Sequence, residues 1–272
     1  MPTVAQALAR SELDALDAQV LLAHALGRNR TWLIAHADDA LAAPDLDAFA
    51  ALVARRRDGE PVAYLTGARE FHGLVLAVSP TVLIPRPETE TLVDLALARL
   101  PVDAEARVLD LGTGSGAIAL AIAHARPRSR VTACDVSVAA LRQAQGNALR
   151  LSIANVEFIQ SDWFSAVGPA PFDLIVANPP YVAGDDPHLA LGDLRFEPRL
   201  ALTPGGDGLA ALRAIAAAAR AHLRVGATLA VEHGYDQRDA VAALLAAAGL
   251  AEVTAARDLA GIVRVTAGVR RD

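Results

Sequence analysis

Residues 108–120, VLDLGTGSGAIAL, carry the strongest structural signal in the chain. The first part, VLDL, is typical of a strand, whereas the apolar run that begins at Ala117 is typical of a buried helix. Between them lie Gly112, Gly114 and Gly116, which let the backbone turn sharply and approach a ligand closely. A strand, a glycine-rich turn and a helix in this order indicate one βα unit of an α/β domain.

Strands and helices alternate along the chain on the C-terminal side of this unit. Further strands are predicted in RVTACDV, VEFIQSD, FDLIVANPP and ATLAVEHG, and helices in VAALRQAQGNALR, GLAALRAIAAAARAHL and QRDAVAALLAAAG. The segments AEVTAARDL and IVRVTAG are expected to add an antiparallel pair at the C-terminus. The pattern predicts a Rossmann-like, mostly parallel, doubly wound α/β sheet, in which ligands bind at the carboxyl ends of the strands.

The N-terminal part of the chain follows a different pattern. Apolar residues recur at helical spacing in segments such as LDALDAQVLL, and no strand pattern occurs before residue 58. Two short apolar runs on either side of Ser79 and Pro80 predict a β-hairpin. We therefore expect a small helical domain over residues 1–70, a β-hairpin linker over residues 71–84 and a larger α/β domain over residues 85–272.

Composition limits the class of protein and its location. The formal net charge of −6 argues against a general nucleic-acid binder, which would usually present a basic face. No apolar run is long enough to span a membrane, and the N-terminus lacks an export signal, so a cytoplasmic location is expected. The 7 histidines and the single cysteine, Cys134, show no metal-ligand spacing, and no metal site is predicted.

The glycine-rich turn and the end of the following strand together predict a cofactor pocket. Asp135 closes the second strand, where a carboxylate can accept hydrogen bonds from ribose hydroxyls. A dinucleotide fingerprint requires G-x-G-x-x-G, whereas this loop is G-x-G-x-G with Ile118 beyond it. The shorter loop favours S-adenosylmethionine, which has no pyrophosphate to bind. Trp163 is a candidate for stacking on the adenine ring, although a tryptophan that only packs in the core is equally compatible with the sequence.

The segment DLIVANPPYVAG, residues 173–184, predicts a second element of the site. Its apolar strand ends at Asn178, and Pro179 forces Asn178 into an extended conformation. The side-chain oxygen of Asn178 and the carbonyl oxygen of Pro179 form a pair of acceptors suited to a planar –NH2 group. Amide and aromatic amino nitrogens are poor nucleophiles, so a site that orients the lone pair of such a nitrogen toward a methyl donor accelerates its methylation. Tyr181 is expected to pack on the flat face of the target.

These motifs give the chain a resemblance to a known family. From residue 55 to residue 268 the chain resembles the protein-(glutamine-N5) methyltransferases of peptide chain release factors, the HemK/PrmC family. NPPY is also typical of DNA and RNA amino-methyltransferases, whereas IPRPETE and GDLRFEPRLAL are far more specific. The resemblance implies a class I methyltransferase that transfers a methyl group from S-adenosylmethionine to N5 of the glutamine in the GGQ motif of bacterial release factors. The product of the cofactor would be S-adenosylhomocysteine.

The resemblance also implies a role for each matching position. The methionine end of S-adenosylmethionine would be lined by the loop residues Gly112, Thr113, Gly114, Ser115 and Gly116. Asp135 would hold the ribose, Trp163 would border the adenine, and Asn178 would contact both cofactor and substrate. The target amide would be held by the catalytic turn, Asn178, Pro179, Pro180 and Tyr181. Residues 85–90 would shape the pocket wall, and the helical domain would dock the release factor.

Two other functions remain compatible with the sequence. An amino-methyltransferase that acts on an exocyclic amine of a DNA or RNA base would use the same two acceptors, but it would need a basic region for target recognition. A non-catalytic adenosyl-binding module would need the cofactor pocket alone. The favoured hypothesis expects release factors as partners, with no direct nucleic-acid or membrane partner.

Overall fold

The first helices of the chain begin at polar caps. The computed structural model describes residues 1–103, 105–168 and 171–272. Its N-terminal part contains helices α1 Val4–Arg10, α2 Ala15–Leu26, α3 Arg30–Ala35, α4 Ala43–Arg57 and α5 Val62–Thr66. Thr3 and Gln6 cap α1 reciprocally, and the side chains of Asp14 and Asn29 cap α2 and α3. These caps satisfy backbone N–H groups that have no partner inside the helix.

The described chain divides into two compact units, Met1–Ala68 and Arg69–Asp272, which we call the helical unit and the sheet unit. The core of the helical unit is apolar and includes Leu21, Leu22 and Phe49, all nearly inaccessible to solvent. An ion pair of 2.7 Å between Arg56 Nε and Asp17 Oδ2 joins α4 to α2. Arg30 on α3 also donates to Gln19 Oε1 on α2, so α2 contacts its neighbours through a buried apolar face and through polar bridges.

Seven strands form the sheet of the second unit within the described residues. They are β3 Arg107–Leu111, β4 Arg130–Asp135, β5 Val156–Gln160, β6 Phe172–Ala177, β7 Leu223–Glu232, β8 Leu250–Arg257 and β9 Val263–Arg270. Their order is β5-β4-β3-β6-β7-β9-β8. The first five are parallel, and β9 runs antiparallel to both β7 and β8. The predicted fold class and its antiparallel C-terminal pair are confirmed.

Helices cover both faces of this sheet. They are α6 Glu90–Arg99, α7 Ala117–Ala125, α8 Val138–Leu151, α9 Arg199–Leu202, α10 Ala210–His222 and α11 Arg238–Ala247. Alternate residues of one strand point to opposite faces, so Val108 packs with α6 and α7 whereas Leu109 packs with α10 and α11. Burial on both sides explains why the strands are nearly continuous apolar runs in the sequence.

The hairpin lies earlier in the chain than the sequence predicted. Strand β1 Ala68–Phe71 pairs with β2 Leu74–Ala77 across His72 and Gly73, whose φ angles of 48° and 79° are those of a two-residue type I′ turn. The predicted second strand at residues 81–84 is wrong. Pro80 instead occupies a tight turn in which the N–H of Val82 donates to the Ser79 carbonyl at 3.1 Å.

The hairpin also belongs to the core of the sheet unit instead of forming a separate linker over residues 71–84. Phe71, Leu74 and Leu76 are buried in the same apolar cluster as α6 and α7.

Among the described residues, no helix is long and apolar enough to cross a bilayer.

Candidate active site

The strand order brings three loops together at one edge of the sheet. Strand β3 lies between β4 and β6, and the chain winds away from β3 in opposite directions on its two sides. Leu111 pairs in register with Cys134 on one side and with Ala177 on the other. The residues that follow these three strands therefore meet at a topological switch point, the usual ligand site of such sheets.

A cavity of about 480 Å³ opens at this switch point. Its lining includes six of the residues predicted from the sequence: Gly112, Gly114, Asp135, Trp163, Asn178 and Pro180. Five other predicted residues are not among those that line this cavity: Thr113, Ser115, Gly116, Pro179 and Tyr181. A cavity of this size with few polar groups on its wall is typical of a small-molecule site.

Backbone hydrogen bonds to β4 hold the start of the glycine-rich loop. The N–H groups of Gly112 and Thr113 both donate to the carbonyl oxygen of Cys134 at 2.9 Å. Gly112, Gly114 and Gly116 all have positive φ, a conformation that glycine adopts without strain. A Cβ atom on Gly116 would lie 3.0 Å from Leu120 Cδ1 and 3.1 Å from Ala144 Cβ, so the loop has no room for a side chain there.

One buried side chain joins this loop to the hairpin. Asn147 on α8 is fully buried, and its Nδ2 atom donates to the carbonyl oxygens of Ser115 and Ala77, each at 2.9 Å. Its Oδ1 atom accepts from the Ala77 N–H at 2.7 Å. Sequence reasoning missed Asn147 because a lone asparagine in a helix gives no signal of such contacts.

Two carboxyl groups lie close to the loop. Asp135 Oδ2 accepts from the Gly114 N–H, and Oδ1 accepts from the Ser137 N–H, each at 2.9 Å. Burial raises the pKa of Asp135, and these hydrogen bonds oppose that rise. Asp110 is fully buried, which raises its pKa to about 7, and its Oδ2 atom accepts from the Thr113 hydroxyl at 2.6 Å. Asp110 thus anchors the loop through Thr113, whereas Asp135 lines the cavity.

The side chain of Trp163 lies against Gly112. A Cβ atom on Gly112 would be 3.5 Å from Cζ3 of the indole, so the ring borders the loop directly. The backbone of Trp163 has φ of 47°, which is unfavourable for a bulky residue and is maintained only where the surroundings fix it. Its carbonyl oxygen accepts from the Ser161 hydroxyl at 2.8 Å. The ring is therefore held in place at the cavity wall.

The Asn-Pro-Pro-Tyr turn is held by side chains from three other segments. Asn178 Nδ2 donates to Thr89 Oγ1 at 3.1 Å, and the Tyr181 hydroxyl donates to Glu232 Oε1 at 3.1 Å. Gln237 Nε2 donates to the carbonyl oxygen of Tyr181 at 2.9 Å. Glu232 is the last residue of β7, and its bond to Tyr181 fixes the neighbouring turn.

A buried ion pair joins two sequence blocks that form the far wall. The Glu197 side chain is fully buried, accepts from the Ile84 N–H at 2.9 Å and pairs with Arg86. Burial raises the pKa of Glu197, and the charge of Arg86 opposes that rise. The wall on this side consists of residues 81–83 together with Pro198, Leu200 and Ala201. Residues 85–90 do not line the cavity as expected but supply Arg86 and Thr89 behind it.

Fold and site together define a class of enzyme. A matching family model, the methyltransferase small domain, covers residues 91–214 and so includes both the glycine-rich loop and the Asn-Pro-Pro-Tyr turn. The fold also matches the crystal structure of a methyltransferase from Pyrococcus furiosus, with a TM-score of 0.56 and 19% identity over 74% of this chain and 90% of that one. The chain is a class I S-adenosylmethionine-dependent methyltransferase.

Curated relatives narrow the class to one family. A release factor glutamine methyltransferase from Burkholderia pseudomallei is 54% identical over 98% of this chain and 95% of its own length. One from Escherichia coli is 48% identical over 96% of this chain and 94% of its own length. Residues 3–67 match the model of the PrmC N-terminal domain. The chain belongs to the release factor glutamine methyltransferase family.

Proposed function

We propose that this enzyme methylates N5 of the glutamine in the GGQ motif of bacterial peptide chain release factors. The observation that carries the proposal is the register of β3 and β6, in which Leu111 pairs with Ala177. Because Gly112 and Asn178 directly follow these residues, the amide of Asn178 and the glycine-rich loop face one cavity. The names of the curated relatives support a release factor glutamine as the target.

The residues around the cavity fit S-adenosylmethionine. Gly112 and Gly114, which carry no Cβ atom, would hold the methionine end together with the rest of the loop. Asp135 would accept hydrogen bonds from the ribose hydroxyls, since each of its carboxylate oxygens has a further lone pair. Trp163 would border the adenine. When bound, this cofactor supplies an electrophilic methyl group and afterwards leaves as S-adenosylhomocysteine.

The Asn-Pro-Pro-Tyr turn would orient the target nitrogen. Asn178 Oδ1 and the Pro179 carbonyl oxygen would each accept a hydrogen bond from one N–H group of the glutamine amide. Pro180 and Tyr181 would complete the turn. The nitrogen lone pair of an amide is delocalised over the carbonyl group, so fixing both N–H bonds directs that lone pair toward the methyl group. Such orientation can contribute several kcal/mol to catalysis. A methylated, cationic amide nitrogen is strongly acidic, so it releases its proton without a strong base.

A methyl-transfer assay tests this proposal. Methyl-labelled S-adenosylmethionine would be supplied with a release factor, with the same factor lacking its GGQ glutamine, and with RNA and DNA as parallel acceptors. We expect label in the first acceptor alone. Label in nucleic acid instead of release factor would overturn the assignment of the substrate.

We further infer that the helical unit docks the release factor and that the sheet unit carries the chemistry. The match of residues 3–67 to the PrmC N-terminal domain, outside the methyltransferase match, supports this division. Leu16 and Ile34 expose 51% and 74% of their surface, as docking residues must. Leu149 on α8 of the sheet unit, 82% exposed, provides a matched control.

The docking proposal predicts an effect on the binding of the release factor alone. Replacing Leu16 and Ile34 together by Asp should raise KM for the release factor about tenfold and leave the affinity for S-adenosylhomocysteine unchanged. The Leu149→Asp control should leave both constants unchanged. Equal KM values for the double variant and the control would contradict the docking role.

A further inference from the structure

The orientation of the Asn178 side-chain amide depends on Thr89. Asn178 Nδ2 donates to Thr89 Oγ1 at 3.1 Å, and Thr89 is only 4% exposed. An amide group presents a carbonyl oxygen on one side and an –NH2 group on the other, so a flip exchanges an acceptor for a donor. A hydroxyl group can donate or accept, and Thr89 by itself is therefore compatible with either orientation of the amide.

Glu232 removes this ambiguity because an ionised carboxylate only accepts hydrogen bonds. Its side chain lies behind the turn, is 1% exposed, and accepts from the Tyr181 hydroxyl through Oε1 at 3.1 Å. Oε2 of Glu232 is buried without a hydrogen-bond partner among the described residues, and the Thr89 hydroxyl lowers the pKa of this carboxyl group. A carboxylate on this side attracts the hydroxyl proton of Thr89, which leaves the Oγ1 lone pairs for Asn178.

We propose that Thr89 and Glu232 are positioning residues that keep Oδ1 of Asn178, and not Nδ2, directed at the target amide. This inference rests on the function proposed above. With the amide reversed, Nδ2–H would face the N–H bonds of the glutamine, and two donors would oppose each other. The same carboxylate also fixes the phenol of Tyr181, so one buried acid would orient both ends of the Asn-Pro-Pro-Tyr turn.

The protonation state of Glu232 provides a readout that packing alone would not produce. Burial raises its pKa to about 7. The hydroxyl groups of Thr89 and Tyr181 and the charge of Arg264 on β9 oppose that rise, and Glu88 adds to it. A protonated Glu232 can donate to Thr89, whose own proton would then point to Oδ1 of Asn178 and favour the reversed amide. We therefore expect kcat to fall as the pH is lowered through about 7.

The experiment compares three variants of the full-length enzyme with a release factor as substrate. Thr89→Val keeps the shape of the side chain but removes the hydroxyl, and Thr89→Ser keeps the hydroxyl. Thr228→Val, on β7, controls for the loss of another buried threonine of the sheet unit. We expect Thr89→Val to lower kcat about 30-fold relative to Thr228→Val, with KM and the affinity for S-adenosylhomocysteine changed less than about threefold. Thr89→Ser should restore kcat to within about threefold of wild type.

Glu232→Gln gives an independent test, also if Thr89→Val fails to fold. It should lower kcat at pH 8 and abolish the decline of kcat on the acid side of pH 7. Equal kcat values for Thr89→Val and Thr228→Val, no rescue by Thr89→Ser, or an unchanged acid limb in Glu232→Gln would each overturn the inference. Failure of the proposed function is distinguishable, because wild-type enzyme would then transfer no methyl group to the glutamine.

Discussion

The glycine-rich loop and the Asn-Pro-Pro-Tyr turn follow two neighbouring strands, yet they are held in different ways. The loop is fixed by backbone bonds to Cys134, by positive φ angles that glycine alone adopts easily, and by hydrogen bonds to the side chains of Asp110, Asp135 and Asn147. The turn depends on Thr89, Glu232 and Gln237, which come from three other segments of the chain. Changes to the loop should therefore affect cofactor binding, whereas changes to the side chains that hold the turn should affect methyl transfer.

The largest expected effect comes from removing the side chain at the centre of the turn. Asn178→Ala should reduce single-turnover methyl transfer about 10³-fold, because one of the two acceptors for the target amide is lost. The affinity for S-adenosylhomocysteine, measured by calorimetry, should change less than about tenfold. Asn155→Ala removes an amide that binds backbone carbonyls away from the cavity, and it should leave the rate unchanged. An equal loss of rate and affinity in Asn178→Ala would break the distinction between the two regions.

A substitution in the glycine-rich loop should instead lower the affinity for the cofactor. Gly116→Ala places a Cβ atom about 3 Å from Leu120 and Ala144 at a φ of 86°. We expect the free energy of unfolding to fall by about 2 kcal/mol and the affinity for S-adenosylhomocysteine to fall about 30-fold. Gly146→Ala is a matched control, since this glycine lies inside α8 with nothing within 4 Å of an added Cβ, and alanine there should stabilise by about 0.5 to 1 kcal/mol. Unchanged affinity in Gly116→Ala would show that the loop conformation is not essential for the cofactor.

The buried acid behind the turn should make stability depend on pH. Folding raises the pKa of Glu232 from 4.5 to about 7, so the folded state binds its proton more tightly than the unfolded state does. This contribution to stability is present below pH 4.5 and is lost as the pH rises through 7. Between pH 5 and 8, the free energy of unfolding of wild type should fall by about 2 kcal/mol relative to Glu232→Gln, as measured by urea denaturation. Parallel stability curves for the two proteins would contradict the shifted pKa.

The smallest expected effect concerns the third anchor of the turn. Gln237→Leu removes the donor to the Tyr181 carbonyl. This hydrogen bond is made to the backbone, so its loss leaves Asn178 and its partners in place. We expect kcat to fall about threefold to tenfold with no change in cofactor affinity. A loss as large as that of Asn178→Ala would mean that the backbone of Tyr181, and not the amide of Asn178, limits the reaction.

The same contrast explains what could be predicted from the sequence. The loop and the carboxyl-end location of Asp135 and Asn178 follow from local patterns, because glycine spacing and apolar runs report directly on backbone conformation. Thr89 and Asn178 lie 89 residues apart, and Glu232 and Tyr181 lie 51 apart, so no local pattern could reveal that they touch. The hairpin was misplaced because the type I′ turn at His72 and Gly73 is a weaker signal than the prolines that follow it.

The most direct test of the account locates the transferred methyl group. Wild-type enzyme would be incubated with S-adenosylmethionine and a release factor, and the digested product would be sequenced by tandem mass spectrometry. We expect one added methyl group on the side-chain nitrogen of the GGQ glutamine, and none when Asn178→Ala replaces wild type at the same reaction time. A methyl group on another residue of the release factor, or undiminished modification by Asn178→Ala, would contradict it.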